Sequence, residues 1–222
     1  MPCQFESRRT ELCDNLRNLY TSTKSSDVSL GCAWYPAAQR IIREWSDHYE
    51  LPVTTVACVV SALSPQCSWE RNLIIANDIL ARRPPSIGGA LHACIRKAEI
   101  LRDEHDTSNG TLAYLSTFYR MRRVFPCGPK VANFAENLAG NMHEYVTVDT
   151  HGCQAALNNP LATVTLKWTP YRIFADCYTA VACEVGYSPA EFQAIIWYTW
   201  KRLYPRIWKQ QHRRQWYVVG EY

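Results

Sequence analysis

Residues 125–150 read FPCGPKVANFAENLAGNMHEYVTVDT, and their pattern decides the fold. A Pro-Cys-Gly-Pro turn at 126–129 opens the stretch. Val131, Phe134, Ala135 and Leu138 then recur at helical spacing, and Gly140 is a natural stop. A short linker leads to the apolar run Val146-Thr147-Val148, which delivers Asp149 where a new helix should begin. Asp149 therefore reads as an N-cap. The stretch sets one amine, Lys130, at the start of one helix and one carboxylate, Asp149, at the start of the next.

The same reading extends in both directions. Upstream, a helix covers about 9–20 and a Ser/Thr-rich loop follows. Trp34-Tyr35-Pro36 reads as a break before a helix over 37–49, whose Ile41, Ile42 and Trp45 share one face. Pro52 suits the first turn of a helix over Val53–Leu63, which is apolar nearly all round and so belongs at the centre of a core. Ser64-Pro65-Gln66-Cys67-Ser68 ends it, and Ser68 caps a helix over 69–81 that Pro84-Pro85 terminates. Gly88-Gly89 opens a helix to about 102, a polar loop covers 103–110, and a further helix covers 111–123.

Downstream, the helix begun at Asp149 runs to about 157, where Asn158-Asn159-Pro160 stops it. Another, over 171–185, ends at Gly186. Ser188-Pro189-Ala190-Glu191 has capping-box spacing with Pro at the first helical position, and it starts a helix over 191–203. No alternating pattern longer than 162–168 suggests a strand, and there is no internal repeat. The expected fold class is all-α, with about ten helices.

At 222 residues the chain can build one substantial core or two small lobes. No apolar run approaches the roughly 18 residues of a membrane helix. The first residues, MPCQFESRRTELCDN, have no apolar signal core, so a cytoplasmic or nucleoid-associated protein without membrane contact is expected. Ten cysteines show no Cys-x-x-Cys spacing, which suits thiols in a reducing compartment and argues against zinc. No metal and no cofactor are expected. The net charge of +4 is uneven: residues 201–222 set Lys201, Arg202, Arg206, Lys209, Arg213 and Arg214 against Glu221. Interleaved with Tyr204, Trp208, Trp216 and Tyr217, this basic tail fits phosphate contact. A solvated terminal segment is the plainer alternative.

Gly128-Pro129-Lys130-Val131-Ala132-Asn133 followed by Val148-Asp149-Thr150-His151 resembles the helix-hairpin-helix DNA glycosylases, nearest to their endonuclease III and 8-oxoguanine glycosylase branches. Those proteins carry a Gly-x-Lys-x-Ala segment and then a Val-Asp-x-His segment at a similar distance. Leu63-Ser64-Pro65-Gln66 is similar to their Leu-Ser-x-Gln element, whose Gln enters the duplex. The resemblance covers roughly residues 50–160 and implies one unit over 1–222 with a central cleft. One lobe would span about 51–140, the other about 1–50 plus 141–222.

The hairpin departs from the usual Leu-Pro-Gly-Val-Gly-x-Lys, being one residue shorter, and Pro129 has no N–H for a phosphate. The C-terminal four-cysteine iron–sulfur motif of many endonuclease III relatives is missing, since the last cysteines are Cys177 and Cys183.

The resemblance implies base excision from double-stranded DNA by a monomer. The target base must leave the stack, and the oxocarbenium-like transition state needs a carboxylate beside it. Asp149 is the expected catalytic acid residue; a helix start suits its charge. Lys130 matches the lysine that attacks the sugar C1′ and forms a Schiff base, for which the amine must be neutral. The alternatives are a plain N-cap for Asp149 and a solvated lysine for Lys130. Candidate DNA contacts are Gln66, Gly128, His151, Lys201 and Arg202, and candidate base-stacking aromatics are Trp34, Tyr35 and Trp69. Two other functions fit the pattern: a phage-type enzyme that modifies a thymine substituent on the same scaffold, and a non-catalytic helix-hairpin-helix binding protein.

Overall fold

A computed structural model describes residues 5–107, 128–164 and 167–205. The expected helix over 111–123, the hairpin residues Phe125, Pro126 and Cys127, and the basic tail beyond 205 lie outside the described residues. Among the described residues the protein is all-helical, with no strand. None of these helices is long and apolar enough to cross a membrane.

The described residues fall into two compact units. The first holds residues up to Trp34 and from Val148 onward, and the second holds Tyr35 to Thr147. The lobe boundaries read from the sequence were set at 50/51 and 140/141.

In the first unit, α1 (Arg9–Thr21) buries Leu12, Cys13, Leu16 and Leu19 at helical spacing. This face packs against α7 (Thr150–Ala156), α8 (Trp168–Val185) and α9 (Pro189–Leu203). The Ser188 capping box forms as its sequence predicts: Ser188 Oγ accepts from Glu191 N–H, and the Glu191 carboxylate accepts from Ser188 N–H. Gly31, in the N-terminal part of α2 (Ser25–Tyr49), meets α9 so closely that a Cβ there would lie 2.6 Å from the backbone of Ile195.

Helix α2 corrects the sequence reading. It spans Ser25–Tyr49 without a break, so Trp34, Tyr35 and Pro36 lie inside a helix rather than ahead of one. Its start is set by Asp27, whose carboxylate accepts the Lys24 N–H at 3.0 Å. An interior proline costs about 3 kcal/mol by removing one helical hydrogen bond. Burial of Tyr35, Ala38 and Ile42 along one face is of the size to offset that cost.

In the second unit, α3 (Val53–Leu63) is the centre, as its all-round apolarity predicts: every residue from Thr55 to Leu63 is buried. It packs on α4 (Trp69–Leu80), α5 (His92–Thr107) and α6 (Pro129–Ala139). Ser68 caps α4 as expected. The chain beyond α4 is clasped by Asp78, which accepts from Ser86 N–H, Ser86 Oγ and Arg83 Nη2. Helix α5 begins at His92 rather than at the Gly88-Gly89 pair, and it continues to Thr107 through part of the segment read as a loop. Gly89 lies at φ 126°, which excludes it from a helix.

Helix α6 ends at Gly140 in the left-handed conformation, φ 115°. Asn137, fully buried, then fixes the exit of the chain. Its Nδ2 donates to the carbonyls of Asn141 (2.9 Å) and Tyr145 (2.7 Å), and its Oδ1 accepts from Thr147 Oγ1 at 2.7 Å. Glu136, also fully buried, accepts from Asn141 Nδ2. The register of Val146-Thr147-Val148 is therefore set by side chains one to two turns back in α6.

Candidate functional site

Lys130 belongs to the second unit and Asp149 to the first.

Lys130 occupies the second position of α6, after Gly128 as N-cap and a buried Pro129 at the first position. Its ammonium donates to Ser64 Oγ at 2.7 Å and lies 5.1 Å from the centre of the Phe134 ring, one turn further along the helix. The ring favours a cation through its quadrupole. Ser64 is held in turn. It caps the end of α3, its N–H donates to Ser61 O, and Ser61 Oγ donates to Val131 O at 2.5 Å. Ser61 and Ser64, three apart on α3, thus join α3 to α6 at Val131 and at Lys130. Burial pushes the Cys94 thiol up, and the charges of Lys97 and Lys130 pull it part of the way back.

Two of the other candidates gather at the same place. Trp69 opens α4 and meets Phe134 edge-on, with centroids 6.4 Å apart. Gln66, exposed at the tip of the loop between α3 and α4, has φ 57°. That left-handed conformation is uncommon for a non-glycine residue. Lys130, Trp69 and Gln66 therefore share one end of α3, with Ser64 and Phe134 between them. Gly128 is exposed, and a Cβ there would meet nothing.

Asp149 is an N-cap, as the sequence predicts. Its Oδ1 accepts from Gly152 N–H at 2.8 Å. The chain ahead of it is fixed by Val148, whose N–H donates to the Tyr171 hydroxyl at 3.0 Å. Behind it, the fully buried Tyr178 donates its hydroxyl to Gly152 O at 3.0 Å. Burial, and then the Asp149 charge, hold the Cys153 thiol well above its ordinary range, so this thiol is no nucleophile. Burial raises Tyr178 likewise, with Cys153 and Asp149 adding to it. The Asp149 carboxylate is half-exposed, and its Oδ2 has no hydrogen-bond donor among the described residues.

The remaining candidates are placed as follows. His151 Nδ1 lies 3.1 Å from Gln154 Oε1, while Gln154 Nε2 donates to Ala162 O. With the amide so oriented, His151 Nδ1 is the donor in this contact. Trp34 is half-buried, whereas Tyr35 is 2 % exposed, so its ring is core rather than a stacking surface. Lys201 Nζ lies over the Trp197 ring at 3.9 Å. Arg202, read as a DNA contact, is instead spent on the fold: it pairs with Asp27 at 2.7 Å and donates to Ser22 O. Asp27 is 4 % exposed, and a buried carboxylate requires such a partner.

Among the described residues no group of three or more His, Cys, Asp or Glu side chains could hold a metal ion. The residue that sequence reasoning missed is Ser64, taken only as a helix breaker. The available signal was the pair of hydroxyls Ser61 and Ser64 at the C-terminal end of α3.

No curated protein matches the chain, and no solved structure does. A family of unknown function, DUF7178, matches residues 3–203. With nearly its whole length matched, the chain belongs to the DUF7178 family.

Proposed function

We propose that the protein is a DNA N-glycosylase of helix-hairpin-helix type, with the two lobes and cleft of that fold, excising a damaged or modified base extruded from the duplex. The observation that carries this reading is the Asp149 carboxylate: one oxygen is fixed by Gly152 N–H, the other has no donor among the described residues, and the residue is partly exposed at the start of a helix. Such a carboxylate can stabilise positive charge developing on a sugar without reorganising. Lys130 supports it as the amine for a Schiff-base step, and Gln66 as the side chain that fills the space of the extruded nucleotide. Trp69 packs edge-on against Phe134, the ring beside this lysine. DNA is the partner, and the chain acts as a monomer in the cytoplasm.

The test is incubation with duplexes carrying a panel of damaged or modified bases, read by mass spectrometry for free base and by gel for strand breaks. Free base from the wild type, none from Asp149→Asn, and equal DNA binding by both is the expected result. No free base from any duplex would overturn the reading. An altered base retained in the strand would assign the chain to base modification instead.

A further inference from the structure

The geometry points to Ser64 as the positioning residue and proton relay of Lys130, the two working as one unit on a carbon at the aldehyde oxidation level. This rests on the reading of Lys130 as an amine nucleophile and adds to it the group that holds and unloads the amine.

Ser64 Oγ accepts from the Lys130 amine at 2.7 Å. A hydroxyl both accepts and donates, so the same contact serves the ammonium, which only donates, and the neutral amine, which has a lone pair. A carboxylate partner could accept from either form but has no proton to offer the lone pair of the amine. The Phe134 ring at 5.1 Å supplies a second wall that favours the cation without competing for a proton. The Ser64 end of the pair is rigid because Ser64 N–H is bonded to Ser61 O and Ser61 Oγ to Val131 O. Lysine has four side-chain torsions, and fixing its terminal atom between Ser64 and Phe134 removes much of that freedom before any substrate arrives.

The lone pair of the neutral Lys130 amine forms a bond to the aldehyde carbon of an opened sugar, and the carbonyl π electrons move to its oxygen. Ser64 Oγ takes a proton from the new N–H, and the Ser64 proton passes to that oxygen, giving a carbinolamine. Loss of one water then gives the imine. No oxidant or reductant is consumed. The substrate class is an aldehyde-level sugar carbon, such as C1′ of an opened nucleotide.

The test uses the full chain and pyridoxal 5′-phosphate, chosen only as an anionic aldehyde. The imine is trapped with borohydride, and each lysine is quantified by peptide mass spectrometry, from about pH 6.5 to about pH 9.5. Lys130 should be labelled faster than the other lysines. Ser64→Ala should slow Lys130 labelling about tenfold or more and change its pH profile, with labelling elsewhere and the melting temperature unchanged. Ser64→Thr, which keeps the hydroxyl, should restore it. Equal Lys130 labelling in wild type and Ser64→Ala would overturn the proposal, as would a Lys130 that labels no faster than the rest. Base release that persists in Ser64→Ala beside unchanged labelling removes this inference and leaves the glycosylase reading standing. Ser64-dependent labelling with no base release does the reverse.

Discussion

The Arg202 guanidinium lies 2.7 Å from the carboxylate of Asp27, joining the last turn of α9 to the first turn of α2. Burial pushes the Asp27 carboxyl up, but the bonds from Arg202, Lys24 N–H and Thr199 outweigh it and leave the group below its ordinary value. A carboxyl depressed in the folded state contributes stability that is fully present above its unfolded value, about pH 4, and is lost as pH falls through the folded one. Asp27→Asn should cost about 2–3 kcal/mol at neutral pH, because it strands a partly buried guanidinium. Urea unfolding at pH 7 and pH 3 checks both points: the gap between wild type and variant should narrow at the lower pH.

Gly31 has no room for a side chain, since an added Cβ would sit 2.6 Å from Ile195 N and Cα. The obstacle is backbone, which cannot rotate away. Gly31→Ala should therefore destabilise by about 2–3 kcal/mol through overpacking, although alanine is the better helix former. Thermal unfolding followed by circular dichroism measures it.

Gln66 stores backbone strain at φ 57°. Gln66→Gly should relieve it and raise stability by up to about 1 kcal/mol. If the side chain enters the duplex, the same change should weaken DNA binding by about tenfold, or 1.4 kcal/mol. A variant that is more stable yet binds DNA less well separates the two effects; equal binding would remove Gln66 from the interface.

The cap at Asp149 can be separated from its proposed chemistry. Asp149→Asn retains an acceptor for Gly152 N–H and should leave stability within about 0.5 kcal/mol, whereas Asp149→Ala should cost about 1 kcal/mol. Denaturant melts of the pair give the cap energy, against which base-release rates can be read.

Legibility followed the locality of the signal. Ser68, Ser188 with Glu191, Gly140 and Gly186 each set a helix end through bonds within a few residues, and each did so where the pattern placed it. Asp149 was legible as a cap for the same reason. Helix α2 was not, because Pro36 and the run of Ser and Thr before Asp27 argue locally for a break. What overrides them is burial of Tyr35 and Ile42 and the pairing of Asp27 with Arg202, which lies 175 residues away. Arg202 misled in the mirror sense: a basic residue in a basic tail carries no local mark of a buried acid waiting for it. Ser64 was hidden because its partner, Lys130, lies 66 residues downstream.

The bonds from Asn137 leave one stretch of the connection to Asp149 unclaimed. His143 and Glu144 are exposed, while Asn141 behind them and Tyr145 and Thr147 ahead are tied to α6. Both ends of that short bulge are anchored independently of its length. A fluorophore or affinity peptide grafted between 143 and 144 would thus leave the register of Val146 and Thr147 unchanged.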